Sequence, residues 1–127
     1  FDQWILYGTP SETVEYDNES VITARTVMVA AKQCESPQST THPKDEILYA
    51  KLIDESVDVV ADIDGMSGGP VFGVKHIPNG FRYAIIGVQS GWLKHQRVLI
   101  ICPIANFASQ LDECVKNVRQ RIINASE

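Results

Sequence analysis

Asp64-Gly65-Met66-Ser67-Gly68-Gly69-Pro70-Val71-Phe72 sets a serine between glycines, and the residues after that serine decide the fold. Glycine is about 7% and proline about 5% of average sequence, so Gly-x-Ser-Gly-Gly-Pro arises by chance in such a chain on the order of once in ten thousand. After the serine, Pro70-Val71-Phe72-Gly73-Val74 reads as extended chain. The serine therefore precedes a strand, not a helix.

Downstream, residues 71–75 lead into Pro78-Asn79-Gly80, a turn signal between extended runs. Residues 82–90 are apolar, and Ala84-Ile85-Ile86-Gly87-Val88 reads as a strand buried on both faces. Residues 91–97 read as a turn and Val98-Leu99-Ile100-Ile101-Cys102 as another buried strand. Upstream, Trp4-Ile5-Leu6-Tyr7 is a strand stopped by Gly8-Thr9-Pro10. A polar stretch spans residues 11–20, and residues 21–31, rich in Val, Ile and Thr, read as one long strand. Residues 34–46 carry two prolines and almost nothing apolar, which predicts an exposed loop. Residues 47–53 and 57–60 are two further short strands. At the end, Ile104, Phe107, Leu111, Val115, Val118 and Ile122 form one helical stripe after Pro103. That helix is expected to cap the β-structure. Strands separated by turns, without alternating helices, predict an all-β domain. They also exclude the Gly-x-Ser-x-Gly elbow of α/β-hydrolases, which requires a helix after its serine.

At 127 residues the chain suits a single domain that can bury a core without disulfides or metals. A net charge of -5 argues against a surface that tracks phosphates, so no nucleic-acid partner is expected. No apolar run reaches the roughly 20 residues of a membrane helix, and no membrane partner is expected. Cys34, Cys102 and Cys114 are an odd, sparse set that fits neither a disulfide framework nor a zinc pattern, and a cytoplasmic setting is expected.

The loop Gly65-Met66-Ser67-Gly68-Gly69-Pro70-Val71-Phe72 resembles the nucleophile loop of trypsin/chymotrypsin-like serine peptidases, in its bacterial variants. Ile86-Gly87-Val88-Gln89-Ser90-Gly91 resembles the strand that lines their primary specificity pocket. Residues 98–105 and the terminal helix resemble their last barrel strand and closing helix. The resemblance implies a six-stranded antiparallel Greek-key β-barrel with a C-terminal α-helix, the second barrel of that fold, over residues 1–127. It implies Ser67 as acyl-forming nucleophile and the backbone N–H groups of Gly65 and Ser67 as oxyanion hole. Gln89, Ser90 and Gly91 would pair with substrate backbone as an added strand, and Ala61 would lie at the base of the pocket with Asp62 beside it. An apolar preference at the cleaved residue is expected from Ala61, and Trp92 stands where it could shield the pocket rim. No metal or cofactor is implied. Met66 stands where digestive members carry an aspartate that pairs with a new N-terminus, so that activation route is not expected.

A serine hydroxyl needs a base. The family's histidine and aspartate lie well before the serine, whereas His76 and His95 follow Ser67 and His42 precedes it by only 25 residues within the proline-containing loop. All three histidines read as surface residues. The chain, which starts at Phe1 rather than Met, is expected to be the C-terminal half of a peptidase that acts on peptides or proteins, inactive alone and able to self-associate through the face its first barrel would cover. The alternative is a non-catalytic homologue that binds peptides.

Overall fold

Trp4 and Leu6 are buried, while Tyr7 between Leu6 and Gly8 is exposed. Val27, Val29 and Ala31 are buried while Met28 faces out. This alternation is the two-residue period of a strand with one face on a core. The computed structural model describes residues 1–18, 20–37, 47–53 and 61–126. Its strands are β1 (Gln3–Gly8), β2 (Glu15–Asn18), β3 (Val21–Thr23), β4 (Val27–Cys34), β5 (Leu48–Leu52), β6 (Pro70–Ile77), β7 (Gly80–Leu93) and β8 (Val98–Pro103), followed by helix α1 (Ala108–Ala125).

Six of the strands close an antiparallel barrel in the order β1-β4-β5-β8-β7-β6, and β2 pairs with β3 in a separate ribbon. Within the barrel β1, β4 and β5 are neighbours in sequence order, and β6 then returns to lie on the free side of β1. That is a Greek key. Closure removes both sheet edges along the paired length. The interior is filled by Trp4, Leu6, Val29, Ala31, Ala50, Leu52, Val71, Leu99 and Ile101, with Ile63 and Met66 added from the serine loop.

The all-β barrel with one terminal helix is thus the architecture observed. Details of its elements differ from the sequence reading. The expected single strand over residues 21–31 is two, because residues 24–26 break it and β4 starts at Val27. Part of the polar stretch pairs as β2, and β7 runs on to Leu93, which confines the next turn to residues 94–97. Ala84 and Ile85 are exposed, so β7 is not buried on both faces there: its first half projects as a hairpin with β6. The expected strand over residues 57–60 and most of the loop over 34–46, His42 included, lie outside the described residues, although Cys34 itself ends β4.

The largest departure is α1. Its apolar stripe does not cap the barrel: Leu111, Val118 and Ile122 are 55%, 53% and 61% exposed, and no residue of the helix is buried. A second apolar surface lies outside the barrel, where Ile5, Tyr7, Met28, Phe72, Val74, Phe81 and Tyr83 line a shallow groove. Phe72 meets Tyr83 edge-on at 6.3 Å there. No helix among the described residues is long and apolar enough to cross a membrane.

Packing predicts a sharp contrast between two truncations. Leu99 is fully buried in the barrel, and Leu99→Ala is expected to cost about 2–5 kcal/mol. Ile122→Ala on the exposed stripe is expected to stay within about 0.5 kcal/mol. Urea unfolding midpoints of the two variants check this directly.

Candidate active site

The serine loop is held by two buried side chains three residues apart. Ile63 and Met66 are each 1% exposed and anchor it in the core, while Asp64, Gly65, Ser67 and Gly68 face out. The Met66 N–H donates to the Ile63 carbonyl at 3.0 Å and the Gly69 N–H to the Met66 carbonyl at 2.9 Å. The Asp64 N–H donates to Asp62 Oδ1 at 3.0 Å, and the Asp64 carbonyl accepts from the Ser11 N–H at 2.7 Å. Gln89 completes the frame: its carbonyl accepts from the Gly68 N–H at 2.8 Å and its N–H donates to the Gly69 carbonyl at 2.9 Å.

This bonding has a gap with chemical meaning. The N–H groups of Asp64, Met66, Gly68 and Gly69 all have acceptors, whereas those of Gly65 and Ser67 have none among the described residues. Exposed Ser67 likewise has no hydrogen-bond partner for its hydroxyl among the described residues. A free hydroxyl thus sits among unpartnered backbone donors, the elements an oxyanion site requires. Gly65 makes the turn feasible. Its φ of +91° suits glycine, and a Cβ there would collide with Ser11 Oγ.

Ser90 and Gly91 lie just beyond this junction. A bulge between Gln89 and Gly91 leaves Ser90 without a partner residue on β8, and Ser90 Oγ donates to the Ile100 carbonyl at 3.3 Å. Strand β6 pairs with β7 only as far as the Pro70–Val88 pair, while β7 continues to Leu93. The segment after Gln89 is therefore paired with β8 alone. The resemblance implies that Gln89 joins Ser90 and Gly91 in pairing with a substrate. Its backbone is instead committed to the serine loop, and its Nε2 donates to the Gly91 carbonyl at 2.8 Å. Ser90 and Gly91 are left as the candidates for that role.

Ala61 is gripped from two sides. Its N–H donates to Glu12 Oε1 at 2.9 Å, and its carbonyl accepts from Arg97 Nη1 at 2.9 Å. Glu12 Oε2 also accepts from the Asp62 N–H at 3.3 Å. Asp62 is not a bare acidic group. The Lys94 ammonium lies 2.6 Å from its Oδ2. That hydrogen bond, then the Asp64 N–H, hold the Asp62 carboxyl below the usual carboxylate range, and the same pair holds Lys94 above the usual lysine value. Arg97 lies over the Trp92 ring, 5.7 Å from its centre. Arg97 Nη2, Trp92 Nε1 and Gln89 Oε1 are buried without hydrogen-bond partners among the described residues.

The histidines do not complete a catalytic set. His76 is exposed and sits 3.5 Å from Asp2, and His95 is exposed in the turn after β7. Among the described residues no group of three His, Cys, Asp or Glu side chains is placed to hold a metal ion. The cysteines are free thiols, with Cys114 exposed. Comparison with protein-family models, curated proteins and solved structures finds no match to this chain. Glu12, Lys94 and Arg97 carry no sequence signal. They reach the loop from 49, 32 and 36 residues away, a distance at which spacing says nothing.

The Asp62–Lys94 pair predicts a defined pH window. A lowered carboxyl value stabilises the fold above the unfolded value of about 4, and this is lost as pH falls through the lowered value. A raised lysine value stabilises below about 10.4, and this is lost as pH rises through the raised value. The difference in Tm between the native chain and Lys94→Ala is therefore expected to stay constant across neutral pH and to close in strong acid. Thermal melts across pH measure it.

Proposed function

We infer that this chain is the serine-bearing barrel of a trypsin-like serine peptidase, with acyl transfer through Ser67 as its chemistry. One observation carries the reading: among the described residues, the loop satisfies its other backbone donors and leaves the Gly65 and Ser67 N–H groups free around an exposed serine. The Greek-key barrel, the strand after the serine and the half-paired segment at Ser90 and Gly91 are consistent with it. In this reading the Ser67 oxygen attacks a peptide carbonyl and the two N–H groups bind the oxyanion that forms. The amine leaves, and water then hydrolyses the Ser67 ester. The hydroxyl proton needs a base, and no described residue is bonded to the Ser67 hydroxyl to act as one. The second reading is a peptide-binding domain without turnover.

Supplying the base separates the two. With imidazole and a peptide p-nitrophenyl ester, the acyl group is expected to pass to Ser67 Oγ, p-nitrophenolate to leave and imidazole to take the serine proton. Mass spectrometry should find the acyl group on Ser67, Ser67→Ala should abolish it, and Gly65→Ala should slow it by about a hundredfold. Peptide binding with no serine-dependent acylation at any imidazole concentration would leave the binding domain standing.

The same reading makes the uncovered apolar faces docking surfaces, one on α1 and one across β1, β4, β6 and β7. Exposed patches of this kind drive association. Sedimentation of the isolated chain is expected to show concentration-dependent association, weakened by Met28→Lys and by Val118→Lys. A monomer at all concentrations would count against it.

A further inference from the structure

Every residue of α1 from Ala108 to Ala125 is exposed. Helices in proteins draw most of their stability from packing an amphipathic face, and the face of this one stays open. Its spacing is specific. Ala108, Leu111, Val115, Val118, Ile122 and Ala125 follow one another at steps of three, four, three, four and three. That is the seam of a heptad repeat, with Ala108, Val115 and Ile122 at its a positions and Leu111, Val118 and Ala125 at its d positions. Ile123 alone among the aliphatic residues of α1 lies off the seam. A helix that covers a sheet presents a broader apolar face, whereas a stripe confined to a and d fits a second helix. Among the described residues α1 is the only α-helix, so that second helix is not supplied by the rest of the barrel.

The flanks of the seam say which helix fits. Its e positions hold Asp112 and Arg119, and its g positions hold Cys114 and Arg121. Charges at e and g set the partner and its direction. When two copies of α1 lie antiparallel, e comes beside e and g beside g. Asp112 then faces Arg119 of the second copy, and the two-fold axis repeats the contact with the roles exchanged. The same register fills every layer of the seam: Ala108 against Ala125, Leu111 against Ile122, and Val115 against Val118. A parallel pair instead sets Asp112 beside Phe107 and Arg119 beside Cys114, so the opposite charges do not meet. Asp112 also holds Lys116 of its own helix at 2.7 Å. Both side chains of that pair are well exposed, and a carboxylate has room to accept a further donor.

We propose that α1 is a self-recognition element, and that two copies of this chain pair their α1 helices antiparallel along the seam of residues 108–125. The proposal does not depend on Ser67 as nucleophile. It names the contact behind association through the α1 face. The contact is isologous, so it closes as a dimer. With 18 residues the helix holds fewer than three heptads, which makes the pair weak and reversible.

Charge reversal on the full chain, read by equilibrium sedimentation, tests the pairing. Asp112→Arg sets like charges side by side twice in each dimer, and so does Arg119→Asp. Each is expected to weaken dimerisation about tenfold, since two exposed pairs become two repulsions. The double change exchanges the signs and should restore the dimer. Arg121→Cys gives a second readout, because it sets a thiol beside Cys114 of the second copy. Oxidised glutathione should then yield a disulfide dimer, with Cys114 of one copy joined to position 121 of the other in a peptide map. Within one helix these positions lie about 10 Å apart, too far for a bridge. The bridge is expected to survive Met28→Lys. A chain that stays monomeric, a dimer indifferent to both reversals, a loss that the double change does not repair, or the absence of that bridge overturns the proposal. A bridge lost in Met28→Lys would place the helix in the groove of the other barrel and overturns it too. Acylation of Ser67 reads the nucleophile separately, so neither experiment decides the other.

Discussion

Gln89 gives both of its backbone hydrogen bonds to the serine loop, accepting from Gly68 and donating to Gly69. The rest of the site depends on that exchange. It fastens a segment without regular structure to a strand that is itself locked between β6 and β8. A loop needs such a partner, because ordering each residue costs about 1–2 kcal/mol of conformational entropy. Ile63 and Met66 supply the opposing anchor by burial in the core. Between those fixed points the chain has little freedom, and the two unpartnered N–H groups are held where the turn puts them.

The junction also explains the bulge in β7. While β7 lies between β6 and β8 its backbone is paired on both sides. At Gln89 the serine loop takes over from β6, and one residue later the register with β8 slips. Bulges twist and re-aim a strand. Here the slip sets Ser90 outward at the point where β7 loses its neighbour, so the half-paired segment starts beside the serine.

The serine loop and the barrel strands are legible in the sequence because their signals are local. Gly-Met-Ser-Gly-Gly-Pro states its own turn, and Trp4, Leu6, Val29 and Val71 show the strand alternation directly. The break within residues 21–31 is not legible, since Ala24-Arg25-Thr26 carries neither glycine nor proline and β-propensity depends on context. The placement of α1 escapes the sequence for a related reason. Periodicity establishes that Leu111, Val115, Val118 and Ile122 share a face, but not what that face meets. The surroundings of Ala61 are out of reach entirely, because Glu12, Lys94 and Arg97 are brought there only by closure of the barrel.

Those three residues divide the charges around Ala61 unevenly. Two carboxylates and two cations converge, which could have made two ion pairs. Glu12 instead caps the N–H groups of Ala61 and Asp62, and Asp62 takes Lys94. Lysine is a compact, strongly hydrated charge on a flexible stem, suited to the more exposed position it occupies. Arginine, the cation better adapted to dry surroundings and paired acceptors, stacks on Trp92 with one nitrogen free.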